Sequence, residues 1–231
     1  MSKGEIAQPV FNRGSVFMEY EKLAPVLNVH LEAIKNIVTS SGTPLEGNCF
    51  YTHGTLNLYK ELLFKQVNLF WCGKQCKTRV CEIGFNAGHS ALLLLLSAHN
   101  IELDFTVFDI GQHKYTKPSV NYIKTSFPHI SLEYIEGDSI EEMPKWIDAH
   151  SDLKGAYDVV HVDGGHTYEC VKSDMIGADS LVKVGGIIIV DDTNVKFISR
   201  FVDEYCNDNR YRELSVFSSM GYEHRIIQKL R

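Results

Sequence analysis

Long apolar runs, clusters of basic residues and paired cysteine motifs are all scarce in this sequence of 231 residues. The longest uninterrupted apolar run, residues 91–96, is far shorter than the roughly 20 residues that a membrane-spanning helix needs. The first residues, MSKGEIAQ, lack the apolar segment of a secretory signal. We therefore expect a cytoplasmic protein without a membrane partner.

Positive charge and cysteine are limited as well. The chain has 23 Lys and Arg against 29 Asp and Glu, a net charge of -6, and its basic residues are scattered. Proteins that bind nucleic acid carry a basic patch, so we expect no nucleic-acid partner. The six cysteines lack paired CxxC units, which argues against a zinc site and against a disulfide framework.

From about residue 79 onward, short apolar runs alternate with amphipathic segments of helical length. This alternation is typical of a parallel sheet that is covered by helices on both faces. The predicted strands are residues 79–83, 105–108, 131–135, 157–162 and 186–190. The predicted helices are residues 88–99, 118–127, 139–149, 167–182 and 195–206.

The two ends of the chain differ from this pattern. Residues 211–217 and 222–227 flank a short turn and predict an antiparallel hairpin at one edge of the sheet. Residues 20–39 have helical periodicity. We expect an N-terminal helical cap or lid over residues 1–75 and a main α/β domain over residues 76–231. The predicted fold is a doubly wound, Rossmann-like, mostly parallel sheet of seven strands.

The first predicted strand leads into CEIGFNAGHS, which contains Glu82, Gly84, Asn86 and Gly88 before a helix. Glycine permits a tight turn and close approach to a ligand, and the helix start offers free N–H groups. In an open α/β sheet this turn lies where ligands bind. The spacing is GxxxG rather than the GxGxxG of dinucleotide sites, which argues against a pyrophosphate cofactor such as NAD.

Polar residues also end the second and third predicted strands. Asp109 follows the second strand, where a carboxylate can accept hydrogen bonds from both ribose hydroxyls. The third strand ends in EGDS, which places Asp138 and Ser139 beside the same cleft. Any one of these acids could be a helix cap or a solvated loop residue. Their repetition at successive strand ends favours a nucleoside site.

The motif E-x-G-x-x-x-G, the acid after strand two and the GDS after strand three resemble the class I S-adenosylmethionine-dependent methyltransferases. The resemblance covers about residues 76–230 and implies S-adenosyl-L-methionine as the cofactor. By that resemblance Gly84, Asn86 and Gly88 line the methionine part of the cofactor, Asp109 binds the ribose, and Asp138 with Ser139 lies on the adenine side. Glu82, in the same motif, is also a predicted cofactor-binding residue.

The fourth strand ends at Asp163 in VDGGHTY, and the fifth ends at Asp191 and Asp192 in IIIVDDTN. If these strands are neighbours, three carboxylates meet at one edge, which requires a cation or a raised pKa. Oxygen ligands of this kind suit Mg²⁺. The arrangement resembles the metal-dependent O-methyltransferases of the catechol and antibiotic-sugar types. That resemblance implies these three aspartates as metal ligands and a small hydroxylated molecule as the acceptor.

His166 is the candidate general base, because imidazole titrates near neutrality and His166 lies three residues after Asp163. A histidine that caps the start of the next helix is the alternative. The catechol enzymes have lysine at this position, and the sugar enzymes have aspartate where this chain has Gly165.

His53, in a turn-rich stretch, is a second candidate base. We expect His161, inside a strand, to be a hydrogen-bonded core residue.

Two other functions fit the same residues. The aspartates could serve only as caps or hydrogen-bond acceptors in a metal-independent methyltransferase. Alternatively, the chain could bind the cofactor or a partner protein without catalysis, as a scaffold. The oligomeric state is open, and the terminal hairpin would be a suitable contact in a homodimer.

Overall fold

The computed structural model describes residues 6–50, 56–98, 102–217 and 224–231, with the backbone alone for 56–61. Within these ranges the strands are β1 Arg79–Ile83, β2 Leu103–Asp109, β3 Ile130–Glu136, β4 Tyr157–Val162, β5 Val182–Asp191, β6 Tyr211–Glu213 and β7 His224–Lys229. The helices are α1 Arg13–Ser41, α2 Leu56–Gln75, α3 His89–Ser97, α4 Thr116–Ser126, α5 Ser139–Ala149, α6 Tyr168–Leu181 and α7 Lys196–Asn207. Every helix in the described part of the chain is too short or too polar to span a lipid bilayer.

The strands form one sheet in the order β3-β2-β1-β4-β5-β7-β6. The first five strands are parallel, and β7 pairs antiparallel with both β5 and β6. This topology confirms the predicted Rossmann-like, mostly parallel sheet with antiparallel strands at its C-terminal end. The turn predicted between the last two strands lies outside the described residues.

The register of the central strands determines where the candidate residues lie. Ile83 at the end of β1 pairs with Phe108 of β2 and with Val162 of β4, and Val162 pairs with Val190 of β5. The residues that follow these positions therefore share one edge of the sheet. That edge is the place where open α/β sheets bind their ligands.

The first two helices belong to the same hydrophobic core as one face of the sheet. Residues of α1 and α2, such as Ile34 and Val67, are fully buried in it, together with the leucines of α3. A Cβ atom at Gly73 of α2 would lie 2.5 Å from the carbonyl oxygen of Leu94, so α2 and α3 can pack this closely only because residue 73 is glycine. This contact fixes the C-terminal part of α2 against α3.

The limits of β1, β4 and α5 coincide with the predicted ones, whereas β5, β6 and α1 differ by several residues, and β6 ends at Glu213 rather than at residue 217. Strand β5 begins at Val182 rather than at residue 186, because an irregular register and a left-handed Gly185 interrupt the pattern that marks a strand. Helix α1 begins at Arg13, seven residues before the predicted helix. Asn12 caps it by accepting a hydrogen bond from the backbone N–H of Ser15.

Asp158, at the start of β4, ties three elements of the fold together. Its buried carboxylate accepts hydrogen bonds from the backbone N–H groups of Lys77 (2.8 Å), Thr78 (2.6 Å) and Arg79 (3.1 Å), and it pairs with the Lys183 ammonium. Burial alone would raise the pKa of Asp158, but these partners hold it at about 2.

Asp158→Asn is expected to lower the free energy of unfolding by about 2 kcal/mol at pH 7, because the ionised form is stabilised only in the folded state. The folded pKa is below the ordinary value of 3.8. The contribution is therefore complete above that value and is lost as the pH falls toward 2. Urea unfolding at pH 7 and pH 3 should show a smaller difference between variant and wild type at pH 3. An equal difference at both pH values would contradict this assignment.

Candidate active site

A cavity of about 640 Å³ opens at the carboxyl edge of the sheet. This volume lies within the range of small-molecule sites. The predicted site residues that line it are Gly84, Asn86, Asp109, Asp138, Ser139, Asp163, His166, Asp191 and Asp192. Glu82 and Gly88 lie behind this lining, in β1 and at the start of α3 respectively. Most of the candidate residues, drawn from five strand ends, therefore face one space.

The loop after β1 runs very close to the loop after β4. Gly84 has a φ of +88°, and a Cβ atom there would lie 1.8 Å from the carbonyl oxygen of Asp163. Only glycine satisfies both the left-handed backbone and the contact. Gly84 thus brings the predicted cofactor loop and the predicted cation site to adjacent positions.

Asp109 organises the same loop. Its Oδ2 accepts hydrogen bonds from the backbone N–H groups of Phe85 (2.9 Å) and Asn86 (2.7 Å), and its Oδ1 accepts one from Gly111 (2.7 Å). Asn86 has a left-handed φ of +54°. The carboxylate therefore holds the loop in a conformation that asparagine tolerates better than most residues.

Asp109→Ala is expected to weaken the binding of S-adenosylhomocysteine by about tenfold or more, because three backbone N–H groups lose their acceptor and the loop loses its shape. Isothermal titration measures the effect. Asp104→Ala is the matched control, since Asp104 lies on the same strand but is exposed and pairs only with Arg79 among the described residues. Unchanged affinity in Asp109→Ala would show that the carboxylate does not shape the site.

A segment of the predicted cap covers part of the cavity. Glu46 forms an ion pair with His113 (2.9 Å) and its carbonyl oxygen accepts a hydrogen bond from the Asn86 side chain. Its backbone N–H donates to the hydroxyl of Tyr115 at 3.3 Å. Through these contacts, residues 46–49 form part of the cavity wall.

Glu82, predicted to bind the cofactor, is fully buried. Its Oε1 accepts hydrogen bonds from Ser90 (2.6 Å) and from Nδ1 of the buried His161 (2.9 Å). Nε2 of His161 lies 3.9 Å from Oδ2 of Asp163. Burial alone would lower the pKa of His161, but Glu82 and Asp163 raise it above its usual value. A buried polar chain thus runs from the first strand to the end of the fourth.

Asp163, His166 and Asp192 form a group whose ligand atoms all lie within 4.8 Å of one another. Nε2 of His166 is 2.6 Å from Oδ2 of Asp192, and this hydrogen bond raises the pKa of His166 above its usual value. Asp192 has a left-handed φ of +53°, a costly conformation that is typical of functional positions. The two carboxylates of this group fit a hard divalent cation, and the imidazole lies beside them.

Asp191 lies at the same edge but is paired differently. Its Oδ2 accepts a hydrogen bond from the Lys65 ammonium of α2, which also lies 3.7 Å from Oδ2 of Asp163. Burial alone would raise the pKa of Asp191, but Lys65 and His161 hold it below its usual value. Burial and the neighbouring Asp191 raise the pKa of Asp163.

Lys65 is a site residue that the sequence analysis missed. It is one of three lysines in the sequence of α2, and no motif marks it. Its position follows from the packing of α2, which sequence periodicity does not reveal. The other candidate base, His53, lies outside the described residues.

Comparisons with known proteins agree with this geometry. A family model described as a methyltransferase domain matches residues 81–193, which run from β1 to just beyond the end of β5. No curated protein matches the sequence.

Among solved structures, the chain is similar to the methyltransferase PaMTH1 of Podospora anserina, solved with S-adenosylhomocysteine. The TM-score is 0.58 at 15% identity, and the match covers 97% of this chain and 99% of that one. It is also similar to the O-methyltransferase TomG of Streptomyces achromogenes, solved with S-adenosylmethionine, with a TM-score of 0.57, 14% identity and coverage of 87% and 90%.

A third similar structure is the methyltransferase MycE of mycinamycin biosynthesis, in complex with Mg and S-adenosylhomocysteine. Its TM-score is 0.51 at 17% identity, and the match covers 86% of this chain and 55% of MycE. Identities this low show a shared fold. The family match spans the central strands and their carboxyl-edge loops. Residues 81–193 therefore match a methyltransferase domain, in a chain that has the fold of S-adenosylmethionine-dependent methyltransferases.

Proposed function

We propose that this methyltransferase transfers a methyl group to a hydroxyl oxygen of a small acceptor, with the assistance of a divalent cation. The observation that carries the proposal is the group formed by Asp163, His166 and Asp192, which faces the same cavity as the glycine loop. The similarity to TomG, an O-methyltransferase, and to MycE, solved with Mg, supports it.

Methyl transfer from a sulfonium is an in-line displacement in which charge disappears, so the protein must mainly orient the two reactants and exclude water. Gly84 brings the cofactor loop next to Asp163, so that donor and acceptor would meet at that boundary. Residues 46–49 of the predicted cap, which line the cavity, would help to exclude water from it. The remaining task is to take the proton of the acceptor hydroxyl.

In this proposal His166 accepts that proton. With Nε2–H donated to Asp192, Nδ1 is the nitrogen that would take it. The side chain is 61% exposed, which leaves it free to pass the proton on to water. Asp192 orients the ring and stabilises its charged form.

Asp163 and Asp192 would hold the cation. Asp191, whose carboxylate pairs with Lys65, would be a third ligand. When bound, the cation would lower the pKa of the acceptor hydroxyl and fix its orientation. A hard oxygen-rich site of this kind suits Mg²⁺.

His166→Ala is expected to lower kcat by about 100-fold near neutral pH, because general-base assistance is lost. The pKa of His166 is raised, so the wild-type rate should increase with pH through a value above the ordinary 6.5, and this increase should disappear in the variant. His129→Ala is the control, since His129 is exposed and precedes β3 at the opposite edge of the sheet. A variant with a normal rate across the pH range would exclude His166 as the base.

The proposed function is tested by methyl transfer to catechols, sugars and other hydroxylated acceptors, before and after removal of divalent ions with EDTA. We expect the rate to fall with EDTA and to recover with Mg²⁺. Titration with S-adenosylhomocysteine and with NAD checks the cofactor separately, and binding of NAD alone would contradict it.

A second candidate, a metal-independent methyltransferase of the same fold, is favoured by one observation. The Lys65 ammonium already supplies a positive charge to Asp191 and lies near Asp163. Turnover that is unaffected by EDTA would select this candidate over the first.

A further inference from the structure

Lys65 reaches the carboxyl edge of the sheet from the cap. Lys65 and Asn68 lie one turn apart on the same side of α2. Asn68 contacts Nε2 of His224 at 2.7 Å, while Lys65 bonds to Asp191. His224 of β7 and Asp191 of β5 are paired in the sheet, so one face of α2 is bound to two neighbouring strands.

The position of Lys65 is therefore well defined. The Asn68 side chain also bonds to the carbonyl oxygen (2.7 Å) and the N–H (3.2 Å) of Phe217, and Gly73 fixes the next part of α2 against α3. The Lys65 side chain is only 12% exposed. An ammonium held in this way acts as a fixed charge rather than as a mobile surface group.

The carboxylates that face Lys65 are the predicted metal ligands. The side chain of Asp191 is 6% exposed and that of Asp163 is 25% exposed. Oδ1 of Asp191 is buried and has no hydrogen-bond partner among the described residues. This unpartnered oxygen leaves the carboxylate able to bind a second cation.

A divalent ion at Asp163 and Asp191 would lie within a few ångströms of the ammonium, because Nζ is already in contact with Asp191 and 3.7 Å from Asp163. Like charges at this distance repel strongly where water is partly excluded. The ion and the ammonium also draw on the same oxygen atoms. Binding of one must therefore weaken binding of the other.

We propose that the Lys65 ammonium is a built-in cation that competes with the divalent ion for Asp163 and Asp191, and so sets the metal affinity of the site. The inference rests on the proposed function in that it takes these carboxylates as metal ligands. Lys65 is then a specificity-determining residue. It keeps the buried carboxylates neutralised when no ion is present and admits an ion only when the ion concentration is high.

The test is a titration of the protein with Mn²⁺ alone, without cofactor or acceptor, followed by the electron paramagnetic resonance signal of free Mn²⁺. Lys65→Gln is expected to bind Mn²⁺ at least tenfold more tightly than the wild type, since the neutral amide removes the competing charge. Lys65→Arg keeps the charge and is expected to retain the weak affinity of the wild type.

Lys74→Gln is the matched control, because Lys74 lies later in α2 and pairs with the partly exposed Glu19. It is expected to leave the affinity unchanged. Lys65→Met is a second neutral variant in case Lys65→Gln does not fold, and S-adenosylhomocysteine binding reports the folded state of each variant.

Equal Mn²⁺ affinity in Lys65→Gln and in the wild type would overturn the proposal, as would the failure of both to bind Mn²⁺. So would tight binding by Lys65→Arg, since charge would then not be the cause. Methyl transfer plays no part in these titrations. A protein that shows the competition but methylates no hydroxylated acceptor would contradict the proposed function and leave the role of Lys65 standing.

Discussion

Asp163→Asn is expected to lower kcat on the order of 1,000-fold while the affinity for S-adenosylhomocysteine changes by less than about threefold. The carboxylate lines the cavity, and it belongs to the group with His166 and Asp192. An amide oxygen is a much weaker ligand for a hard cation. Its NH₂ group would also face the Lys65 ammonium, which cannot accept a hydrogen bond.

Single-turnover rates and isothermal titration of the same protein separate the two effects. Asp152→Asn is the control, because Asp152 is exposed and lies in the turn before β4, at the opposite edge of the sheet. Loss of cofactor binding in Asp163→Asn, in parallel with kcat, would place the carboxylate in the cofactor site. A near-normal rate would remove it from the mechanism.

Gly84→Ala is expected to lower the free energy of unfolding by about 3 kcal/mol or more and to abolish cofactor binding. The added methyl group would lie 1.8 Å from the carbonyl oxygen of Asp163, and the backbone at residue 84 has a φ of +88°. Both the clash and the left-handed conformation oppose the substitution. Relief of the clash would move the loops after β1 and β4 apart.

Gly155→Ala separates these two causes. Gly155 also has a left-handed φ, of +66°, but a Cβ atom there would have no neighbour within 4 Å. Gly155→Ala is expected to lower the free energy of unfolding by about 1 kcal/mol, which is the cost of the left-handed conformation alone. Urea unfolding of both variants gives the comparison. Equal losses would mean that the contact between Gly84 and Asp163 carries no energetic weight.

The fold was largely predictable from sequence because its central strands are buried on both faces. Strands such as β1 and β4 are short apolar runs that end abruptly at glycine or aspartate, and their limits follow directly from that contrast. Helix α2 was not predicted. Its buried apolar residues face several neighbours, because it packs on α1, α3 and β4, and no single amphipathic face marks it.

The candidate site was predictable in part for the same reason. Residues at the ends of parallel strands share one edge, so Asp109, Asp163 and Asp191 could be placed near one another before any side-chain contact was known. The hydrogen-bond and ion-pair partners of these residues could not be predicted. The bonds of Asp109 to backbone N–H groups and the pairing of Asp191 with Lys65 depend on loop conformation and helix packing. Neither leaves a periodic signal in the sequence.

The placement of β7 between β5 and β6 has a consequence for the order in which the protein matures. Asp191 pairs with His224, and Asn68 of α2 contacts the same histidine. A nascent chain on the ribosome that has produced the glycine loop and all three acidic strand ends still lacks residues 224–229. Strand β7 completes the surroundings of Asp191, so during synthesis this part of the edge can form only after residues 224–229 have followed the glycine loop and the acidic strand ends.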